Sequence, residues 1–395
     1  MTTDKIRAMY DATVMNTYGA RKLAFAKGQG LTLWDVEGNE YLDFFAGIAV
    51  VNVGHCHPKV TKALIDQAQK LVHASNLYLF EPQAQLAALL CEHSFADQWF
   101  FCNSGAEANE AAIKLARRYW VQQGSPKPVI VTAHNSFHGR TMTTISASGQ
   151  TKLHDGFDPL MQGFKYANFN DLDDLAKSIT PDVGAILLEP IQGEGGIRTC
   201  DPDYLKKVRA LCNEKNVLML LDEVQTGCGR TGAMFAHQHA GIEPDVMTLA
   251  KGLGNGIPIG AMGCKEFVAE GFAVGSHGCT FGGNPLSSAT ALATMKVILE
   301  EKLVENAAAM GAYFMEELSK LGETHSCIQE VRGSGLMIGV QMDCGVADIL
   351  RGMLDKGVIC GPAGPDVVRF LPALIVTKEQ IDRVVSTLDA VLGEL

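Results

Sequence analysis

The chain reads as an α/β protein, with a large, mostly parallel sheet covered by helices and a smaller α+β domain beside it. Three observations carry that expectation. Short apolar runs, Val129-Ile130-Val131, Ala185-Ile186-Leu187-Leu188 and Val217-Leu218-Met219-Leu220-Leu221, alternate with helical stretches. Runs apolar at every position belong to strands buried on both faces. The length of 395 residues exceeds the roughly 250–300 at which a single core stops growing. In the final hundred or so residues the pattern changes to long helices flanking short strands.

Taken along the chain, residues 30–45 hold Gly38-Asn39 between two apolar runs, which predicts a hairpin able to pack with the smaller domain. Asp201 caps a helix whose first position is Pro202, and Leu205, Val208 and Leu211 share one face before the 217–221 strand. That unit is a βαβ crossover. Ligands of such sheets gather at the carboxyl ends of the strands, where Asp222 and Lys251 stand. Helical patterns around residues 287–321 and 375–394 flank strands at 336–341 and 367–371.

Composition excludes several function classes. Hydrophobic residues at 47% and charged residues at 19% are ordinary for a globular enzyme, and no run reaches the ~18 apolar residues of a membrane helix. The net charge of −11 (33 basic, 44 acidic) opposes attraction to nucleic acid or anionic lipid. The opening MTTDKIRAMYDATVMNTYG has no apolar signal core and carries Asp4 and Asp11, so a cytoplasmic protein is expected. The 11 cysteines are odd in number and contain no CxxC pair, which argues against a disulfide framework or zinc ribbon. His55-Cys56-His57 has no second ligand group of matching spacing, so no metal is expected.

Several segments carry candidate chemistry. Ser104 and Glu107 have the spacing of a capping box ahead of a helix running through Trp120. The free N–H groups of residues 104–106 also suit a phosphate, with Gly105 admitting close approach. Asp222-Glu223 resembles the strand-end acid that holds magnesium in nucleotide hydrolases, but the chain has no Gly-Lys dipeptide and hence no GxxxxGK[ST] loop. Gly227-Cys228-Gly229-Arg230-Thr231-Gly232 matches GxGxxG, yet it does not directly follow the strand, and it reads as a flexible glycine loop. Lys251 follows the apolar run 246–250 and opens Gly252-Leu253-Gly254-Asn255-Gly256, so its side chain emerges at a sharp turn. A lysine desolvated there can form imines. Arg140 and Arg369 are embedded among uncharged residues, so each needs an anionic partner, either a structural carboxylate or a substrate carboxylate. Glu194, within Gln192-Gly193-Glu194-Gly195-Gly196, is a candidate mobile partner.

In order, Gly54-His55-Cys56-His57-Pro58, NSGAEANE, FHGRT, EPIQGEGG, LLDEVQTGCGRTG, LAKGLGNGIPIGA, SHGCTFGGNP and GPDVVRF resemble the class III, ornithine-type aminotransferases of the fold type I pyridoxal-phosphate enzymes. The resemblance covers nearly the whole chain. It implies that Lys251 carries pyridoxal 5'-phosphate as a Schiff base and moves the substrate proton, while Asp222 faces the pyridine nitrogen and keeps it protonated. Gln225 would bond the phenol oxygen, Phe137 stack on the ring, and Ser104, Gly105 and Ala106 cradle the phosphate, with Glu223 and Val224 among the cofactor contacts. Thr280 would reach the phosphate of a neighbouring subunit, which makes a homodimer necessary.

By the same resemblance, Arg140 grips the far carboxylate of the amine donor, and Glu194 masks Arg369 until 2-oxoglutarate arrives. Two departures stand out: Cys279 where Ser is common beside the substrate, and Ala106 where Thr is frequent in the phosphate cup. Tyr18 matches a position that touches the donor in ornithine-type relatives. Residues 51–285 would form the large cofactor domain, residues 1–50 would pack with the small domain, and residues 286–395 would form that small domain. The implied reaction moves the terminal amine of N2-acetyl-L-ornithine to 2-oxoglutarate, a step in arginine biosynthesis. Succinylornithine, ornithine and 4-aminobutyrate are the alternative donors. A relative performing decarboxylation or an intramolecular amine shift, and a non-catalytic binding protein on the same fold, are the rival readings.

Overall fold

A computed structural model describes all 395 residues. Seven strands form the large sheet: β1 (Gln98–Cys102), β2 (Val129–Ala133), β3 (Phe164–Ala167), β4 (Val183–Leu188), β5 (Leu218–Asp222), β6 (Val246–Leu249) and β7 (Gly260–Cys264). Their spatial order is β1-β7-β6-β5-β4-β2-β3. All share one direction except β7, which pairs antiparallel with both β6 and β1. Every residue of β4, β5 and β6 is buried. Alternation divides their side chains between two cores: Leu187, Leu218 and Leu220 pack on one face with Ile113 and Leu115, while Leu188, Met219 and Leu221 pack on the other with Leu205 and Val208.

The expected crossover is present. Helix α2 (Pro202–Lys215) is capped by the Asp201 side chain, stops at left-handed Asn216, and buries Tyr204, Leu205, Val208 and Cys212, with Leu211 half-buried. Helix α1 (Gly105–Gln122) follows β1 directly, with Ser104 accepting the Glu107 N–H at its N-terminus. The expected capping box is only half made. The Glu107 carboxylate instead accepts the Asn103 backbone N–H at 2.6 Å and its side-chain amide at 3.0 Å, bracing the turn that joins β1 to α1.

Where one helical run was expected near 287–321, two helices stand, α3 (Pro285–Glu300) and α4 (Leu303–Thr324). Lys302 breaks the run in a left-handed conformation, φ 53°. The strands β8 (Ile328–Ser334), β9 (Met337–Met342), β10 (Gly361–Pro362) and β11 (Val367–Phe370) make a second sheet of order β8-β9-β11-β10, followed by α5 (Lys378–Gly393). The N-terminal hairpin Thr32–Asp35 and Glu40–Asp43 forms as expected and joins this end of the chain through parallel pairing with Val358–Ile359. One cluster of 44 buried residues runs from Leu31 through Phe101 and Leu249 to Leu388, so the large sheet and both chain ends share a core.

The glycine loop after β5 is a packed junction and not the flexible loop expected. Arg230 is fully buried, and its guanidinium donates to the Leu336 and Pro372 carbonyls and to Asn52 Oδ1. An added Cβ on Gly232 would lie 3.0 Å from Ala308, so the glycine permits close approach of α4 rather than freedom of motion. No helix is long and apolar enough to cross a membrane.

Candidate active site

The carboxyl ends of β4, β5 and β6 and the N-terminus of α1 open onto one cavity of about 440 Å³. Lys251 enters it one residue past the apolar run that ends in β6, from a single 3₁₀ turn with φ 40°. Such a φ strains any residue but glycine. It aims the side chain at the cavity. Desolvation pushes the Lys251 ammonium down to about 8, with Glu194, Asp222 and Glu189 pulling it up and Arg369 pushing it further down. Part of the amine is therefore neutral and nucleophilic near neutral pH.

Asp222 closes the cavity at the end of β5 and is 5% exposed. Its Oδ2 accepts from Asn109 Nδ2 at 2.7 Å and pairs with His138 Nδ1 at 2.9 Å, while Oδ1 accepts the Val224 N–H at 3.0 Å. Asn109 is itself anchored, donating to the His138 carbonyl at 2.8 Å and accepting from Thr248 Oγ1 at 2.7 Å. Asn109, His138 and Thr248 were not singled out from sequence. Asn109 lies inside NSGAEANE and His138 inside FHGRT, but only the fold brings them to one carboxylate.

Ser104, Gly105 and Ala106 form the first turn of α1 and line the cavity, as do Phe137, Val224 and Gln225. A Cβ on Gly105 would lie 2.8 Å from Val224, so glycine leaves the backbone amides open at this helix end. Glu223 lies next to these residues but turns its carboxylate away, onto the N–H groups of Ala236 and His237 and the His237 ring.

The two arginines differ in state. Arg369 is 2% exposed and bonded to Glu194 at 2.6 Å and 3.4 Å, with its guanidinium 5.3 Å from the centre of the Phe45 ring. Burial opposes ionisation of Glu194, but the Arg369 charge outweighs it and holds the carboxyl below its ordinary value. Arg140 has no structural carboxylate as its partner. It is exposed at the cavity wall, makes no ion pair, and lies over Phe137 at 5.6 Å from the ring centre.

Besides Arg369 and Glu223, three further expected site residues do not line this cavity, one of them, Thr280, being expected to serve a neighbouring subunit. Thr280 is exposed on the surface, and Tyr18 is 86% exposed beside Arg21. The Cys279 thiol contacts Asn103 Nδ2 at 3.1 Å and Glu107 Oε2 at 3.9 Å, outside the cavity lining. His55 Nε2 pairs with Asp43 at 2.7 Å, and no three His, Cys, Asp or Glu side chains are grouped to hold a metal ion.

The pattern of the family described as aminotransferase class-III matches residues 14–392. The chain belongs to this family. A class-III aminotransferase relative named acetylornithine aminotransferase, from Methanocaldococcus jannaschii, is 50% identical over 386 residues, covering 96% of each chain. The ornithine aminotransferase of Toxoplasma gondii, described with partial occupancy of PLP at its active site, superposes with TM-score 0.95 at 34% identity over 99% of this chain and 94% of that one. The N-acetylornithine aminotransferase of Stenotrophomonas maltophilia K279a superposes with TM-score 0.85 at 37% identity over 98% of each.

The chain is thus a pyridoxal-phosphate-dependent aminotransferase of fold type I, acting on an amino donor and a keto acid. The cavity suits that cofactor on its own terms. It offers a desolvated lysine, a buried carboxylate fixed by three donors, and an open helix N-terminus that a Cβ on Gly105 would crowd.

Proposed function

We propose that this aminotransferase moves the terminal amine of N2-acetyl-L-ornithine to 2-oxoglutarate, giving N-acetyl-L-glutamate 5-semialdehyde and L-glutamate, in cytoplasmic arginine biosynthesis. The reading rests on one observation above all: the cavity wall carries one arginine without an ion pair, Arg140, and the Glu194 carboxylate, which masks the buried Arg369 behind the lining. Two substrates must occupy one pocket in turn, and a masked cation accommodates the dicarboxylate without penalising the donor. The names of the close relatives favour acetylornithine as the donor.

Bound pyridoxal phosphate supplies an electron sink for the pair left when the amine-bearing carbon loses its proton. Lys251 Nζ, neutral in part near neutral pH, takes that proton and later returns it. Asp222, fixed by Asn109, His138 and Val224, would hold a proton at the ring nitrogen. Phe137 would stack on the ring, Gln225 would donate to the phenol oxygen, and Ser104, Gly105 and Ala106 would seat the phosphate at the α1 N-terminus. Arg140 grips the donor carboxylate. Glu194 leaves Arg369 when 2-oxoglutarate enters.

Glu194→Ala tests the gate. Loss of a charge-assisted pair is worth about 1.5–3 kcal/mol, so the ratio of 2-oxoglutarate to donor half-reaction rates is expected to rise by about tenfold or more. An unchanged ratio in rapid-mixing kinetics contradicts the gate. A donor panel of acetylornithine, succinylornithine, ornithine and 4-aminobutyrate, compared by kcat/KM with 2-oxoglutarate as acceptor, tests the substrate. Preference for 4-aminobutyrate would overturn the donor assignment and leave the chemistry standing.

Thr280 supports a homodimer in which this residue serves the partner's phosphate. Phe281, next in sequence to Thr280, is 60% exposed, and Leu79, in the loop that holds Asn76, is 100% exposed. Asn76 ties the two loops together through the carbonyls of Cys279 and Gly282. Phe281→Asp combined with Leu79→Asp is expected to give a monomer by light scattering that retains cofactor about tenfold less well, since a charged-group hydrogen bond is lost. A dimer of unaltered cofactor affinity contradicts this assembly. Residues 51–285 are read as the cofactor domain, with residues 1–50 and 286–395 forming the smaller unit.

A further inference from the structure

Glu189 has no role in the chemistry above, yet it is a carboxyl only 7% exposed that lines the cavity. It follows the last residue of β4, and because Leu188 pairs with Leu221 in the parallel ladder, Glu189 stands beside Asp222 at the same level of the sheet. Its Oε2 accepts the Phe137 N–H at 3.0 Å, and its Oε1 accepts the Gly193 N–H at 3.3 Å. Phe137 is the residue assigned to the cofactor ring, and Gly193 is the residue immediately before the Glu194 gate. Gly193 is confined from the other side as well, since a Cβ there would lie 2.3 Å from Gln225 Oε1.

We propose that Glu189 is a positioning residue of the transfer reaction: one carboxyl holds the backbone of Phe137 and of Gly193 together, so that the gate opens by rotation of the Glu194 side chain on a fixed root. This rests on the gate reading of Glu194 and Arg369. Burial and the neighbouring Asp222 charge push the Glu189 carboxyl well above its ordinary value. Each of its two oxygens accepts one backbone N–H, of Phe137 and of Gly193, whether the carboxyl is charged or neutral.

Glu189→Gln separates this role from mere support. An amide presents one oxygen and one NH2 group, so one of the two backbone N–H donors meets a donor and is released. The probe is glutarate, a dicarboxylate with neither amine nor keto group, titrated calorimetrically into holoenzyme, which reads unmasking of Arg369 without turnover. Glu194→Ala is expected to tighten glutarate binding about tenfold, Glu189→Gln to do so to a similar extent, and the double variant to match Glu194→Ala alone, because Glu189 acts through the gate.

A structural role alone predicts that Glu189→Gln slows both half-reactions equally and leaves glutarate affinity unchanged, which overturns the proposal. Equal tightening by Glu189→Gln in the presence and absence of Glu194 also overturns it, because the two residues would then act independently. If Glu194→Ala leaves glutarate binding unaltered, the gate reading itself fails and carries this one with it. Should Glu189→Gln be isolated without cofactor, Glu189→Asp, which keeps both oxygens but withdraws them by one methylene, is read against the same outcomes.

Discussion

Lys251→Ala is expected to lower kcat for amine transfer by at least about 10⁴-fold, because one side chain serves as both the cofactor anchor and the proton carrier. The fold is expected to survive. Lys251 projects into the cavity, and no hydrogen bond contributes to its shifted pKa, so truncation strands no partner. Alanine also tolerates the φ of 40° no worse than lysine does. Single-turnover kinetics should show the loss, and thermal unfolding of the cofactor-free protein should shift little. A small primary amine such as methylamine, added to the variant, should restore part of the rate by supplying the missing proton carrier. A variant within tenfold of the parent rate contradicts the assignment.

Asp222→Ala should give the second largest loss, about 10³-fold in kcat, since without the carboxylate the ring nitrogen loses its proton and the electron sink weakens. Here stability is affected as well. Three donors, Asn109 Nδ2, His138 Nδ1 and the Val224 N–H, converge on this carboxylate, and each buried donor left unpaired costs about 1–3 kcal/mol. The cofactor-free variant should therefore unfold at a visibly lower temperature, unlike Lys251→Ala. Asp222→Asn keeps an acceptor for Asn109 and His138 and separates the two effects. Its rate should fall as far as that of the alanine variant while its unfolding temperature partly recovers. Full activity in Asp222→Asn contradicts the role of the charge.

What could be read from the sequence and what could not follows the range of the interactions involved. Local signals were legible: the Asp201 cap and Pro202 start of α2, the Gly38-Asn39 hairpin, and the strand-end positions of Asp222 and Lys251. These depend on neighbours a few residues away. The motif resemblance added the partnership of Glu194 and Arg369, which the fold places 2.6 Å apart across 175 positions of chain.

The misreadings share a cause. The 227–232 glycines looked mobile because Gly-rich sequence is permissive, yet Arg230 is buried against carbonyls of Leu336 and Pro372, more than a hundred residues away. Glu107 left the capping box because Asn103 offers two donors just ahead of α1. Asn109 and His138 meet at Asp222, with Thr248 anchoring Asn109, only once the fold brings β5, β6, α1 and the His138 loop together.

Reductive trapping reads the role of Lys251 most directly. Purified holoenzyme, yellow from its bound cofactor, is treated with borohydride, digested and mapped by mass spectrometry. A pyridoxyl phosphate group is expected on Lys251 alone, and the visible band is expected to alter in Lys251→Ala. A label on another lysine, or a colourless protein that takes up no added cofactor, would contradict the assignment of Lys251 as the residue that holds pyridoxal phosphate.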